Sequence, residues 1–226
     1  MKQVKTVVIT GANRGIGLAM VGIYANQGSK VIALCRKSSA KLNALANANV
    51  EVVEGIDVAT SEGITKMVSA IGEQKISVLI NNAGILRDES LNNLNIDTIN
   101  EQFQVNAVAP LKVCQSLLKN LTQGSKIALI TSRMGSISDN GSGGRYGYRM
   151  SKAALNAAGM SLAKDLEPEH IAVGIYHPGY VQTDMVNHGG DISADVAAKR
   201  ITQLIDELTL KASGVFRHSN GEVLPW

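Results

Sequence analysis

The chain alternates two hydrophobic rhythms. Short, nearly continuous apolar runs rich in Val and Ile recur at 4–10, 30–35, 50–55, 77–81, 126–131 and 171–176, with a weaker one at 214–217. Runs of that length without polar alternation suit strands covered on both faces, as in a parallel sheet. Between them, apolar positions three and four apart predict helices over 16–28, 38–48, 60–73, 95–122, 146–167 and 193–209. The alternation predicts an α/β fold: a doubly wound parallel sheet of about seven strands, with right-handed crossovers and helices on both faces. Pro110 predicts a kink in the fourth helical stretch. Glu167-Pro168 predicts the end of the fifth. No repeat or linker interrupts the pattern, so residues 1–226 read as one domain.

Two stretches break the rhythm, the Gly- and Ser-rich 133–147 and the loop 178–190. Both follow predicted strands. Ligands of open α/β sheets bind outside the carboxyl ends of the strands, so a site is expected there.

Composition narrows the function. A hydrophobic share of 45% against 18% charged residues is globular and excludes wholesale disorder. The net charge of +3 is not concentrated in any basic run, and aromatics make up only 4%, which argues against a nucleic-acid partner. Neither a membrane span nor a signal peptide is expected. Cys35 and Cys114 belong to no CxxC or Cys/His cluster, so small buried thiols in a reducing cytoplasm are expected, with no metal site.

The first run leads into Thr10-Gly11-Ala12-Asn13-Arg14-Gly15-Ile16-Gly17. Gly11 permits a tight turn, Gly15 lets the backbone approach a pyrophosphate, and Gly17 lets the helix pack against the strand. The helix amino terminus then offers free N–H groups to the phosphates. In NAD binders an acid after the second strand bonds the ribose 2′-hydroxyl. Here Cys35 occupies that position and Arg36 follows it. Arg14 and Arg36 supply the planar, charge-assisted donors that a 2′-phosphate needs, which predicts NADP(H).

Tyr148 and Lys152 stand four residues apart and share one helix face. A phenol is a poor acid or base near neutrality, and an adjacent ammonium lowers its pKa. Ser132 ends the fifth strand, Asn106 places an amide in an apolar helical stretch, and Asn81-Asn82-Ala83-Gly84 ends the fourth strand.

With TGANRGIG at 10–17, Asp57-Val58, NNAG at 81–84, Asn106, Ser132, YRMSK at 148–152 and the segment 178–183, the chain resembles the short-chain dehydrogenase/reductase family along essentially its whole length. Within that family it resembles the C-factor-like, sniffer-type carbonyl reductases. The resemblance implies a Rossmann-like fold and a set of roles. Tyr148 would give a proton to a carbonyl oxygen, Ser132 would hydrogen-bond that oxygen, and Lys152 would hold the nicotinamide ribose. Asn106 would position a water that passes protons through Lys152. Asp57 and Val58 would meet the adenine, and Asn82, Ala83 and Gly84 the adenosine side. Pro178, Gly179, Val181 and Thr183 would border the nicotinamide. The gap from Ser132 to Tyr148 is longer than usual for the family, which leaves Ser136 and Ser138 as rivals to Ser132.

Met134, Met185 and Val186 are expected to form an apolar pocket wall, with Tyr146 at its entrance, for a small or medium aldehyde, ketone or diketone. His177 reads as a structural strand-end histidine. The resemblance also implies a homo-oligomer, dimer or tetramer, paired through the helices near 95–122 and 146–167. Two other functions fit the same fold. One is a nucleotide-binding regulatory protein with little turnover, and the other is a different reaction such as alcohol oxidation or epimerisation.

Overall fold

In the computed structural model, which describes residues 4–226, seven parallel strands form one sheet. Residues 1–3 of the expected domain lie outside the described residues. In chain order the sheet strands are β1 (Thr6–Thr10), β2 (Lys30–Leu34), β3 (Val50–Val53), β4 (Ile76–Asn81), β5 (Leu121–Ile130), β6 (Ala172–His177) and, after an unforeseen pair β7 (Val181–Gln182) and β8 (Ile192–Ser193), β9 (Phe216–His218). The spatial order is β3-β2-β1-β4-β5-β6-β9. The winding reverses between β1 and β4, and that switch point opens a ligand crevice at the carboxyl edge.

Side chains alternate across the sheet with period two. Val8, Ile32, Leu79, Leu129 and Ile175 face one layer of helices. That layer holds α3 (Ser61–Ile71), α4 (Ile96–Phe103), α5 (Ala109–Ser116) and α6 (Tyr146–Asp165). Val7, Ile9, Val31, Ile80 and Ile130 face the other layer, α1 (Gly15–Asn26), α2 (Ala40–Asn43) and α7 (Ala194–Glu207). The strands lack alternating polarity because both faces are covered.

Three expectations are corrected. The helix expected over 38–48 is the single turn α2, capped by the Ser39 hydroxyl on Leu42 N–H. The long helix 95–122 is α4 and α5 joined by a π-helical turn, Gln104–Val108. Its irregularity precedes Pro110, which sits in the first turn of α5, where a missing N–H costs nothing. β5 begins at Leu121, five residues early, because it first pairs with Ile76 across a register shift before the regular ladder.

Candidate active site

The glycine turn, the β4 end and the 178–190 loop meet at the switch point. Gly11 has φ +65 and lies so close to β4 that a Cβ there would stand 2.8 Å from Ala83 Cα. A Cβ on Gly17 would meet the Gly11 carbonyl at 2.4 Å. Asn82 Nδ2 donates to the carbonyls of Thr10 (3.0 Å) and Gly11 (3.1 Å), while Asn82 N–H and Ala83 N–H donate to Thr10 Oγ1. Asn82 thus fastens the turn. Gly15, φ +53, faces Thr183, whose Cγ2 would lie 3.3 Å from a Cβ there. Pro178 and Gly179 lead into Val181, which is buried, and Ile16 opens α1 partly covered.

Asn13 ties this turn to the loop after β2: its Nδ2 donates to Lys37 O at 2.9 Å, and its carbonyl accepts from Ser39 Oγ. Arg36 sits exposed in that loop. Ser38 N–H donates to Glu54 Oε1 at 2.6 Å. Arg14 pairs with Asp184 Oδ2 at 2.8 Å, an exposed pair at 63% and 53%, so its guanidinium spans to the loop 178–190. Asp57 Oδ1 accepts from Ala59 N–H, next to the buried Val58. Together these residues make a glycine-lined turn that leads into α1, whose amino terminus carries no side-chain cap. It has the shape and free helix end that a dinucleotide requires.

Beside the cradle stands the polar cluster. Ser132 lies two residues beyond the end of β5, and its Oγ accepts from Met134 N–H at 3.1 Å. The turn behind it presses on α6, where a Cβ on Gly135 would meet the Lys152 carbonyl carbon at 2.6 Å. The rival serines are engaged elsewhere. Ser136 Oγ accepts from Asp139 N–H, and Ser138 Oγ donates to Trp226 O. Tyr148 is 8% exposed. Burial pushes its phenol up to about 12, against the opposing pull of Ser132 and Arg145. The expected lowering by Lys152 does not prevail. Lys152 Nζ lies 5.8 Å from the Tyr148 ring centroid and donates to Ile130 O at 2.9 Å. Burial lowers the ammonium itself to about 8.

Asn106 sits on the π-helical turn, a device frequent at functional sites. Its amide is locked both ways onto Ile85: Oδ1 accepts from Ile85 N–H and Nδ2 donates to Ile85 O, each at 2.8 Å. It also donates to Ser151 Oγ. A Cβ on Gly84 would lie 3.2 Å from Asn106 Oδ1 and 3.7 Å from Lys152 Nζ, so all three border one small space.

A cavity of about 700 Å³ opens between the loop at 88–90 and the Gly-rich loop. Met134 lines it, whereas Tyr146, Met185 and Val186 are not among its lining residues. Its lining is largely charged instead. His177 behaves as a structural residue: burial and nearby cations lower it to about 3.

Sequence reasoning missed Glu89 and Gln102. Both are buried, and Gln102 Nε2 donates to Glu89 Oε1 at 2.6 Å. The loop sequence Asp88-Glu89-Ser90 carries no signal that its central acid turns inward. Thr10, quoted only as part of the glycine motif, turns out to hold two backbone N–H groups of the NNAG turn.

Sheet order, glycine cradle and polar cluster define a nucleotide-binding oxidoreductase fold. Residues 5–191 match the short chain dehydrogenase family, and the chain belongs to it. It is 34% identical over 98% of its length, and 99% of the relative's, to 1-hydroxy-2-glutathionyl-2-methyl-3-butene dehydrogenase of Rhodococcus sp. strain AD45. It superposes on the carbonyl reductase Sniffer of D. melanogaster with TM-score 0.91 and 30% identity, covering 99% of this chain and 100% of that one. An NADPH-bound carbonyl reductase from chicken fatty liver gives TM-score 0.90 and 29% identity over the same shares. These likenesses place the chain in the sniffer-type branch. No helix among the described residues is long and apolar enough to cross a membrane.

Proposed function

We propose that the protein is an NADP(H)-dependent carbonyl reductase in which Tyr148 protonates the substrate oxygen. The observation that carries this reading is the convergence of Ser132, Tyr148, Lys152 and Asn106 on the carboxyl edge of the sheet, next to the glycine cradle. Gly11, Asn13, Gly15, Ile16 and Gly17 would hold the pyrophosphate, and Asp57, Val58, Asn82, Ala83 and Gly84 the adenosine. Pro178, Gly179, Val181 and Thr183 would border the nicotinamide. When bound, the reduced nicotinamide supplies the hydride.

The remaining work falls to the chain. Ser132 Oγ donates to the carbonyl oxygen and fixes it beside the phenol. Tyr148, protonated far above neutrality, is ready to give its proton as charge builds on that oxygen. Lys152, whose ammonium is held in a buried site, returns a proton to the tyrosinate. Asn106 braces the chain at Ile85 and keeps an Oδ1 lone pair toward the Gly84–Lys152 space, where a water can join the relay.

NADP(H) rather than NAD(H) is supported by Arg36, by the absence of an acid at Cys35, and by the NADPH-bound relative. Arg14 contributes too, since a solvent-screened pair such as Arg14–Asp184 is weak and yields to a dianion. Ile96, Phe103 and Met150, exposed on α4 and α6, support a homo-oligomer. Two buried free thiols support a reducing cytoplasm. An intact proton-transfer set favours an enzyme over a regulatory protein, which would need only the cradle. The test is to titrate the purified protein with NADPH and NADH, then screen carbonyls for oxidation of the preferred one. Equal or tighter NADH binding refutes the cofactor assignment, and no oxidation across a broad panel refutes the reductase.

A further inference from the structure

The cavity beside the polar cluster points to a class of substrate. Three guanidiniums face it, those of Arg133, Arg145 and Arg149. Two already hold carboxylates: Arg133 Nε donates to Asp139 Oδ2 at 2.5 Å, and Arg145 Nε to Asp88 Oδ1 at 3.0 Å. The third lining acid, Glu89, turns its carboxylate to Thr98, Gln102 and Gly147 N–H and away from the arginines. Arg149 has no carboxylate partner among the described residues. It is held in place by neutral oxygens: Nε on the Gly143 and Gly144 carbonyls, Nη2 on Ser142 Oγ, and Nη1 at 3.5 Å from Met134 O. A guanidinium has five N–H donors, so this arrangement leaves two of them unspent on a cation whose orientation is already set. The Gly-rich loop is therefore the frame that presents Arg149.

Ser132 and Tyr148 do not themselves line the cavity, but two of its lining residues act on them. Met134 lines it and donates its N–H to Ser132 Oγ, and the Arg145 guanidinium acts on the Tyr148 phenol. We propose that this cavity binds the carboxylate of an anionic carbonyl substrate, with Arg149 as the fixed anchor. Arg133 and Arg145 would exchange their solvent-exposed aspartates for the ligand. Such surface pairs are weak, whereas a carboxylate on a pre-oriented guanidinium forms a charge-assisted fork. The proposal rests on the reductase reading for where the carbonyl lies, but binding of the anion can be measured without turnover.

The experiment uses the protein saturated with NADP+, so that no reduction occurs, and calorimetric titration with 4-carboxybenzaldehyde and with methyl 4-formylbenzoate. Binding at least about 10-fold tighter for the carboxylate, weakening with added salt, is expected from one charge-assisted contact. Arg149→Met should bring the two ligands close to parity. If that variant loses its fold with the loop, Arg133→Met, which should narrow the ratio in part, and the wild-type pair still decide. An ester that binds as tightly as the carboxylate overturns the proposal. Parallel assays with NADPH separate the two readings. Selective binding without reduction leaves the anion site standing and removes the reductase, while equal kcat/KM for both aldehydes does the reverse.

Discussion

Glu89 Oε2 accepts the backbone N–H of Gly147 at 3.3 Å, one residue before Tyr148. Among the described residues no other side chain caps α6: Arg145 at its start has φ 51 and offers no cap hydrogen bond. A carboxylate at a helix amino terminus complements the free N–H groups and the dipole. Here it comes from the loop that follows the NNAG turn, so that loop and the start of α6 share one fastening. Glu89→Ala removes an acceptor from the Gln102 amide, the Thr98 hydroxyl and the Gly147 N–H and should cost about 1–3 kcal/mol of stability. That lowers the melting temperature by several degrees. Displacement of the first turn of α6 should cut kcat by about 10- to 100-fold with NADPH binding kept. Glu89→Gln, which preserves the shape, should recover part of both. Unchanged kcat and melting temperature in Glu89→Ala would remove Glu89 from the positioning of Tyr148.

Tyr148→Phe keeps the ring and removes the proton. Turnover should fall roughly 10²- to 10⁴-fold while NADPH still binds, because general-acid assistance is worth that much. A biological output that survives this substitution would favour the regulatory reading.

The pH dependence follows from Lys152. Carbonyl reduction needs Tyr148 protonated and an ammonium to restore its proton. Burial holds Tyr148 protonated up to about 12 but lowers Lys152 to about 8. As pH rises, the ammonium is lost first. The rate of reduction should therefore be full below pH 8 and fall through it, with the tyrosine contributing nothing in that range. A profile flat to pH 10 under saturating NADPH would show that Lys152 does not supply the proton.

The glycine turn, the parallel strands and the Ser132–Tyr148–Lys152 group were legible because each rests on a local pattern: a spacing, an apolar run, a helix face. Asn106 was visible as an amide in an apolar stretch, although the π-helical turn that aims it was not. Glu89 was invisible, since an acid in a polar loop looks the same whether it faces water or a helix end sixty residues away. The cavity lining was hidden for the same reason: Met134 and Arg149 reach it from loops and a helix turn whose approach depends on long-range packing. The phenol's pKa went the other way because desolvation, absent from any motif, outweighs a neighbouring charge.

Arg36→Asp replaces the proposed donor to the 2′-phosphate by a repelling charge. Affinity for NADPH should fall about 10- to 100-fold, the worth of one charged hydrogen bond, with NADH spared or improved. Full retention of the NADPH preference would show that Arg36 does not read that phosphate.

Arg14 offers a finer test, because the structure commits it to Asp184 at 2.8 Å. His188 Nε2 adds a second contact on Asp184 Oδ1 at 3.1 Å, and the Arg14 guanidinium holds that carboxyl below its usual range. If Arg14 also serves the 2′-phosphate, Asp184 competes with the cofactor for it. Asp184→Asn should then tighten NADPH by up to ~5-fold, the limit set by an exposed pair, and leave NADH unchanged. The two cofactors share everything except the 2′-phosphate, so an equal gain for both would mean that Asp184 acts through the loop at 183–190. No gain for either would mean that Arg14 serves that loop alone, as the pair that ties it to the glycine turn.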